Sequence, residues 1–284
     1  MSPLNYAHSE VIVETEWVAE HLHDPKVRLV EVDMDATAYN SGHIPGAIFW
    51  NALTTILQPD FRFNFDKVAL EELLGRSGIA NDTTVVIYGN HNAIAPVIFW
   101  FLKIFGHDDV RVMNGGRKKW LVEERPLLTE TPSITTTTYT AQEHNYSIRA
   151  LQEQVQASVG KSDRVLVDVR TPEEYRGEWF STKPPEGTER AGHIPGAVHI
   201  PYESALNEDE TFKSAQELYA LYTSKGVTPD KEVITYCTIG GRSSHTWFVL
   251  KYLLGYQNVR NYDGSWNEWG NQPDTPVEVQ SLVI

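Results

Sequence analysis

One cysteine among 284 residues is the most telling scarcity in this chain. A single cysteine forms no internal disulfide, so nothing in the sequence marks an oxidising compartment. Long apolar runs are missing as well. The longest, Ile94 to Phe105, is interrupted by Pro96 and Lys103 and falls short of the ~20 residues a membrane span needs. Residues 1–20 hold no apolar stretch behind a basic start, and Glu10, Glu14 and Glu16 stand where one would run, so no secretory signal is expected. Basic charge is scarce: 24 Lys and Arg against 38 Asp and Glu leave a net charge of −14 and a pI near 5.1. That balance argues against nucleic acid and anionic membrane as partners. The ten histidines show neither HxxxH nor Cys/His ligand spacing, and no Walker-type phosphate loop occurs. No metal and no cofactor are therefore expected. A cytoplasmic, monomeric protein is the expectation.

What is present is a repeat. The length admits two ordinary domains, and comparison of the chain with itself supplies them. Gly42-His-Ile-Pro-Gly-Ala47 returns as Gly192-His-Ile-Pro-Gly-Ala197. Val32-Asp33 matches Val167-Asp168, and Val85-Val-Ile-Tyr88 matches Val233-Ile-Thr-Tyr236. Gly106 with Val110-Arg111 matches Gly255 with Val259-Arg260, and Asn114-Gly-Gly-Arg-Lys-Lys-Trp120 matches Asp263-Gly-Ser-Trp-Asn-Glu-Trp269. The matches keep one order at offsets of about 135 to 150 residues, which makes the chain two copies of one α/β domain.

Each copy alternates β-branched runs (Leu29–Asp33, Val85–Tyr88, Val110–Met113; Val165–Val169, Val233–Tyr236, Val259–Tyr262) with segments of helical spacing. The helical segments are Asp66–Gly78 and Ile94–Phe105, then Ser214–Gly226 and Ser243–Leu254. This alternation predicts a mostly parallel sheet with helices on both faces in each domain. Residues 1–128 are read as the first domain, the threonine-rich stretch 129–143 as an extended linker, and 144–284 as the second domain. The second copy carries an insertion between Asp168 and Gly192, opened by Thr171-Pro-Glu-Glu174, a helix start with a capping box.

The cysteine stands in Tyr236-Cys-Thr-Ile-Gly-Gly-Arg-Ser243, at the end of a predicted strand, where parallel sheets bind ligands. A lone cysteine is otherwise most often a small buried apolar residue. Three features favour its thiolate, the reactive form. Thr238, Ile239, Gly240 and Gly241 can turn backbone N–H groups inward as an anion nest. Ser243 is placed to cap the next helix, whose positive end then faces the loop. Arg242 adds a permanent forked cation. The first copy has Gly89 at the cysteine's place and a shorter loop without a cation, so one reactive site is expected, in the second domain.

The tandem copies, the repeated Gly-His-Ile-Pro-Gly-Ala and the cysteine loop together resemble the two-domain rhodanese family, the thiosulfate and mercaptopyruvate sulfurtransferases, over nearly the whole chain. The resemblance implies two rhodanese-like domains, the first catalytically silent, with an active site facing the cleft between them. It puts Cys237 on the nucleophile that cycles through a persulfide, and Thr238 to Arg242 on the loop that cradles the outer sulfur and the donor. Dual-specificity phosphatases resemble this fold but space cysteine and arginine by five residues; here four, Thr238 to Gly241, intervene, which disfavours phosphatase or arsenate-reductase chemistry. The implied reaction is a double displacement, with cyanide or a thiol, a thioredoxin-like protein included, as acceptor. The loop is closer to those of bacterial thiosulfate enzymes than to the small neutral loops associated with mercaptopyruvate. Thiosulfate is the favoured donor, 3-mercaptopyruvate the alternative, and a sulfur-carrier module with little turnover a third reading.

A second cation for the donor is expected from the insertion. The vertebrate pattern has an arginine where this chain has Glu174. Arg176 is the candidate in its place, with Arg170, Lys183 and Arg190 as rivals. His43 and His193 are read as parts of tight turns rather than metal ligands, His245 as packing or solvated, and Trp266 as a candidate wall of the site.

Overall fold

The computed structural model describes residues 5–279, which form two compact units. One comprises residues 8–145 with 206–212; the other comprises 5–7, 146–205 and 213–279. The first holds a five-stranded sheet in the order β1 (Ile12–Val13), β5 (Val110–Met113), β4 (Thr84–Tyr88), β2 (Val27–Asp33), β3 (Ile48–Asn51). The second repeats it as β6 (Arg149–Ala150), β10 (Val259–Tyr262), β9 (Glu232–Tyr236), β7 (Arg164–Asp168), β8 (Val198–His199). Every strand pair is parallel. The sequence duplication is a duplication of topology.

Central parallel strands are covered on both faces, so they read as continuous apolar runs rather than alternating ones. The last four residues of β4 and of β9 are all buried. Tyr88 and Trp120 anchor the core of the first unit, and Tyr236, Tyr262, Trp266 and Trp269 that of the second. The longest apolar run of the sequence is the helix Ile94–Ile104, with ten of its 11 residues buried. At 1.5 Å per residue it spans about 16 Å, half a hydrocarbon core. No helix among the described residues is long and apolar enough to cross a membrane.

The repeated hexapeptides are turns. Gly42, Gly46, Gly192 and Gly196 all take positive φ, and Ala47 and Ala197 each donate an N–H to the isoleucine three residues back. His43 and His193 are buried, each hydrogen-bonded to a backbone carbonyl, of Tyr39 (3.0 Å) and Tyr175 (2.8 Å). The stretch 129–143 runs without helix or strand along the first unit, where Thr137 N–H donates to Gly75 and Gln142 N–H to Phe105.

The helix after β9 starts earlier than expected, at Gly241, and runs to Phe248 before a π-helical turn over Val249–Leu253. The residue before it, Gly240, has φ 89°, a conformation that favours glycine. Ser243 is therefore inside the first turn and does not cap the helix, a correction to the sequence reading.

Candidate active site around Cys237

Cys237 follows β9, whose neighbours are β10 and β7, so its side chain emerges at the carboxyl end of a central strand. The thiol is buried, with Cys237 1% exposed. Thr238, Ile239, Gly241 and Arg242, the neighbouring residues of the loop, are half-buried. The loop is pinned from behind: Trp266 and Asn267, at the start of the helix Ser265–Trp269, donate N–H groups to the carbonyls of Cys237 (3.0 Å) and Thr238 (2.8 Å).

Three donors face Sγ. Gly240 N–H lies at 3.2 Å, brought there by the positive φ of that residue. The hydroxyls of Ser243 and Ser265 lie at 3.6 and 4.0 Å. Each hydroxyl has one proton, and at rest both are engaged: Ser243 donates to Asn261 Oδ1 at 2.6 Å, Ser265 to the Tyr262 carbonyl at 2.6 Å. Gly240 N–H is thus the committed donor, while the hydroxyls are rotors that can re-aim. Ser265 also accepts the N–H of Cys237 at 3.0 Å. The two glycines of the loop differ. Gly240 needs its positive φ, whereas a Cβ on Gly241 would meet nothing within 4 Å.

Arg242 does not stand free as the sequence reading supposed. Its Nη1 and Nη2 donate to Glu174 Oε2 and Oε1 at 2.7 and 2.9 Å, a bidentate pair with Glu174 1% exposed at its side chain. Thr238 Oγ1 donates to the same carboxylate at 2.8 Å. Burial by itself would push the guanidinium down, but the Glu174 hydrogen bonds and the Cys237 charge hold it above the usual arginine range. Burial likewise would push the Glu174 carboxyl up, and the hydrogen bonds from Arg242 hold it below the carboxylate range instead. Both ends of the pair stay charged. The helix Pro172–Arg176 that presents Glu174 begins with the expected capping box, Thr171 N–H donating to Glu174 Oε2 at 3.0 Å and Glu174 N–H to Thr171 Oγ1 at 3.3 Å.

The candidates for a second cation are all engaged. Arg176 pairs with Glu178 at 2.7 Å and Glu173 at 3.4 Å. Arg170 is fully buried against Asp168. Arg190 donates to the carbonyls of Trp269, Gln272 and Thr275, and Lys183 pairs with Glu186. Trp266 is fully buried with its ring 4.5 Å from the Arg170 guanidinium, so it is core rather than a wall of the site. His245 is buried edge-on to Tyr202. No group of three His, Cys, Asp or Glu among the described residues is arranged to hold a metal.

Sequence reasoning missed Ser265 and Asn261 as site residues. The sequence itself offers only the repeat, which places Ser265 opposite Gly116; the fold adds that both take the same left-handed φ, 50° and 52°. A serine held in a conformation that favours glycine, with its hydroxyl 4.0 Å from Cys237 Sγ, carries strain of the kind that clusters at functional sites.

The first unit shows the same scaffold without the cysteine. Gly89 stands at the cysteine's place, and Arg117 N–H donates to its carbonyl at 3.0 Å, as Trp266 N–H does to Cys237. A Cβ on Gly89 would lie 2.3 Å from Ile94 Cγ2 and 2.4 Å from the Val32 carbonyl. The shorter loop has closed over the space a side chain needs.

Fold and site together define a duplicated α/β protein with one cysteine loop. The family described as "Rhodanese-like domain" matches residues 14–123 and 151–272, and the chain belongs to it. "Sulfur carrier protein TtuD" of Thermus thermophilus is 52% identical over 280 residues, spanning 96% of this chain and 98% of that protein. A "Putative thiosulfate sulfurtransferase" of Mycolicibacterium smegmatis is 47% identical over 278 residues, spanning 97% of this chain and all of that one (100%). Among solved structures, YnjE superposes with a TM-score of 0.87 at 25% identity, over 98% of this chain and 70% of that one. EanB, solved as a cysteine persulfide with ergothioneine, gives 0.85 at 26% identity over 98% and 72%.

Proposed function

We propose that the chain is a sulfurtransferase that carries a sulfur atom as a persulfide on Cys237, with thiosulfate as donor and cyanide or a cellular thiol as acceptor. One observation carries the reading: the Cys237 Sγ is met by Gly240 N–H at 3.2 Å and two serine hydroxyls at 3.6 and 4.0 Å, a set of donors suited to a charged sulfur. The Cys237 thiolate attacks the outer sulfur of thiosulfate. The S–S bond of the donor breaks, sulfite leaves with the electron pair, and Cys237 holds the outer sulfur as a persulfide anion. Cyanide then attacks that sulfur, thiocyanate leaves, and the thiolate returns. Charge balances at both steps, and no general base is needed because sulfite leaves as an anion. The Gly240 N–H and the re-aimed hydroxyls of Ser243 and Ser265 stabilise the charge on the terminal sulfur, as oxyanion donors do. The names of the relatives support this chemistry.

A sulfur-carrier role is the second reading, and the Glu174–Arg242 pair favours it. With Arg242 paired to Glu174, its charge is offset and does not favour a doubly anionic donor such as thiosulfate. The likeness to TtuD supports the same reading.

Thiocyanate formation from thiosulfate and cyanide, with 3-mercaptopyruvate run in parallel, tests the enzyme. Cys237→Ser is expected to abolish turnover. Intact mass after thiosulfate is expected to rise by one sulfur atom and to fall back with cyanide. Stoichiometric loading without steady-state thiocyanate would favour the carrier; no loading from any donor would remove both readings.

A further inference from the structure

Nothing in persulfide chemistry calls for a buried carboxylate beside the nucleophile, yet Glu174 is there and saturated. Oε1 accepts from Arg242 Nη2 at 2.9 Å and Thr238 Oγ1 at 2.8 Å; Oε2 accepts from Arg242 Nη1 at 2.7 Å and Thr171 N–H at 3.0 Å. Arg242 is the one cation that the Cys237 loop itself contains, and the arginines and lysine of the insertion are engaged elsewhere. Of the loop and the insertion, the groups beside Sγ are the Cys237 thiolate, the Glu174 carboxylate and the Arg242 guanidinium, which sum to a net negative charge.

We infer that Glu174 is a specificity-determining residue: by cancelling Arg242 it sets the site against doubly charged sulfur donors and in favour of donors carrying at most one negative charge. The inference rests on the persulfide reading of Cys237. It makes thiosulfate a weakly held donor and points to singly charged persulfides and thiosulfonates as the better-bound class. The physical ground is that interaction energy scales with the donor's charge, and that a unit charge a few ångströms away in a half-buried site is screened far less than in water. The carboxylate penalises a dianion twice as much, in energy, as a monoanion.

Two probes separate charge from chemistry. Thiosulfate is a dianion; methanethiosulfonate carries the same transferable outer sulfur on a sulfonyl centre, with a methyl in place of one anionic oxygen. Loading of Cys237 is followed by intact mass over a range of each donor, in the full chain and in Glu174→Gln. Glutamine keeps the side-chain volume and the acceptor for Thr171 N–H that the capping box needs. The variant is expected to lower the half-saturating thiosulfate concentration by roughly tenfold or more. For methanethiosulfonate the change is expected to be the square root of that factor, as charge-proportional energy requires. Equal shifts for the two donors, or none, would overturn the inference. So would weaker thiosulfate binding, which would make Glu174 a positioning residue that orders Arg242. A second measurement needs no variant: the unaltered chain is expected to half-saturate at a lower concentration of methanethiosulfonate than of thiosulfate, and the reverse order overturns the inference. Failure of the unaltered chain to load from either donor is a distinct result, since it removes the persulfide reading and the inference together.

Discussion

Arg117 and Arg170 bring a guanidinium to equivalent places in the two units from different parts of the chain. Arg117, on the helix Gly116–Val122, donates to the Gly42 carbonyl and to Glu31 at 3.0 and 3.1 Å. Arg170, in the loop after β7, donates to the Gly192 carbonyl at 2.7 Å and to Asp168 at 2.6 Å. Gly42 and Gly192 open the two copies of the repeated hexapeptide. The buried acid moved with the arginine, since Glu31 lies two residues before Asp33, the counterpart of Asp168. Where the first unit has Arg117, the second has Trp266, whose ring lies against Arg170.

Arg170→Met would leave Asp168 buried with its charge unpaired. It is expected to destabilise the second unit by about 3–5 kcal/mol. The double variant Arg170→Met with Asp168→Asn is expected to recover a large part of that loss. Urea unfolding followed by tryptophan fluorescence measures both, and equal stability of single and double variants would contradict the pairing.

Ser265 has φ 50° and accepts the Cys237 N–H. Ser265→Ala and Ser265→Gly both orphan that buried donor, but only glycine relieves the left-handed conformation, by about 1–2 kcal/mol. Ser265→Gly is expected to be the more stable of the two by that margin in urea titrations. Both are expected to load sulfur more slowly than the unaltered chain.

Gly89→Cys is not expected to awaken the first unit. The new Cβ would overlap Ile94 Cγ2 and the Val32 carbonyl, so the variant is expected to lose stability by about 1–3 kcal/mol, as overpacked cores do. After thiosulfate, intact mass should still show a single added sulfur; two would contradict the closed-loop account.

Asp33 gives the first unit a pH dependence. Burial pushes its carboxyl up from 3.8 to about 6, with the nearby Glu31 charge adding to the effect and the Asn90 N–H opposing it. A raised acid binds more protons folded than unfolded, so stability falls as pH rises from about 4 to about 6 and is level above. Asp33→Asn is therefore expected to stabilise the unit by on the order of 1–3 kcal/mol at pH 7.5, with the gain vanishing below about pH 4. Urea midpoints at the two pH values check this, and a gain that is the same at both would contradict it.

Much of this was legible in the chain. The duplication was written in matched segments because both copies must fill the same sheet positions. The central strands read as unbroken apolar runs because both their faces are covered. Cys237 could be set at a strand end, and the missing thiol and arginine of the first unit's loop could be read from Gly89-Asn-His-Asn-Ala93. The helix start was misplaced toward Ser243 because serine caps are common, whereas here the left-handed Gly240 ends the loop.

The sequence by itself determined the architecture and the place and single occurrence of the cysteine, since these depend on local pattern and on order along the chain. Tertiary structure alone decided the charge of the site. Glu174 and Arg242 are 68 residues apart, and Cys237 and Ser265 are 28 apart, separations at which no periodicity speaks. Whether a charge is free or paired depends on what lies within a few ångströms of it. In the sequence Arg242 reads as a bare cation; in the fold it is half of an ion pair.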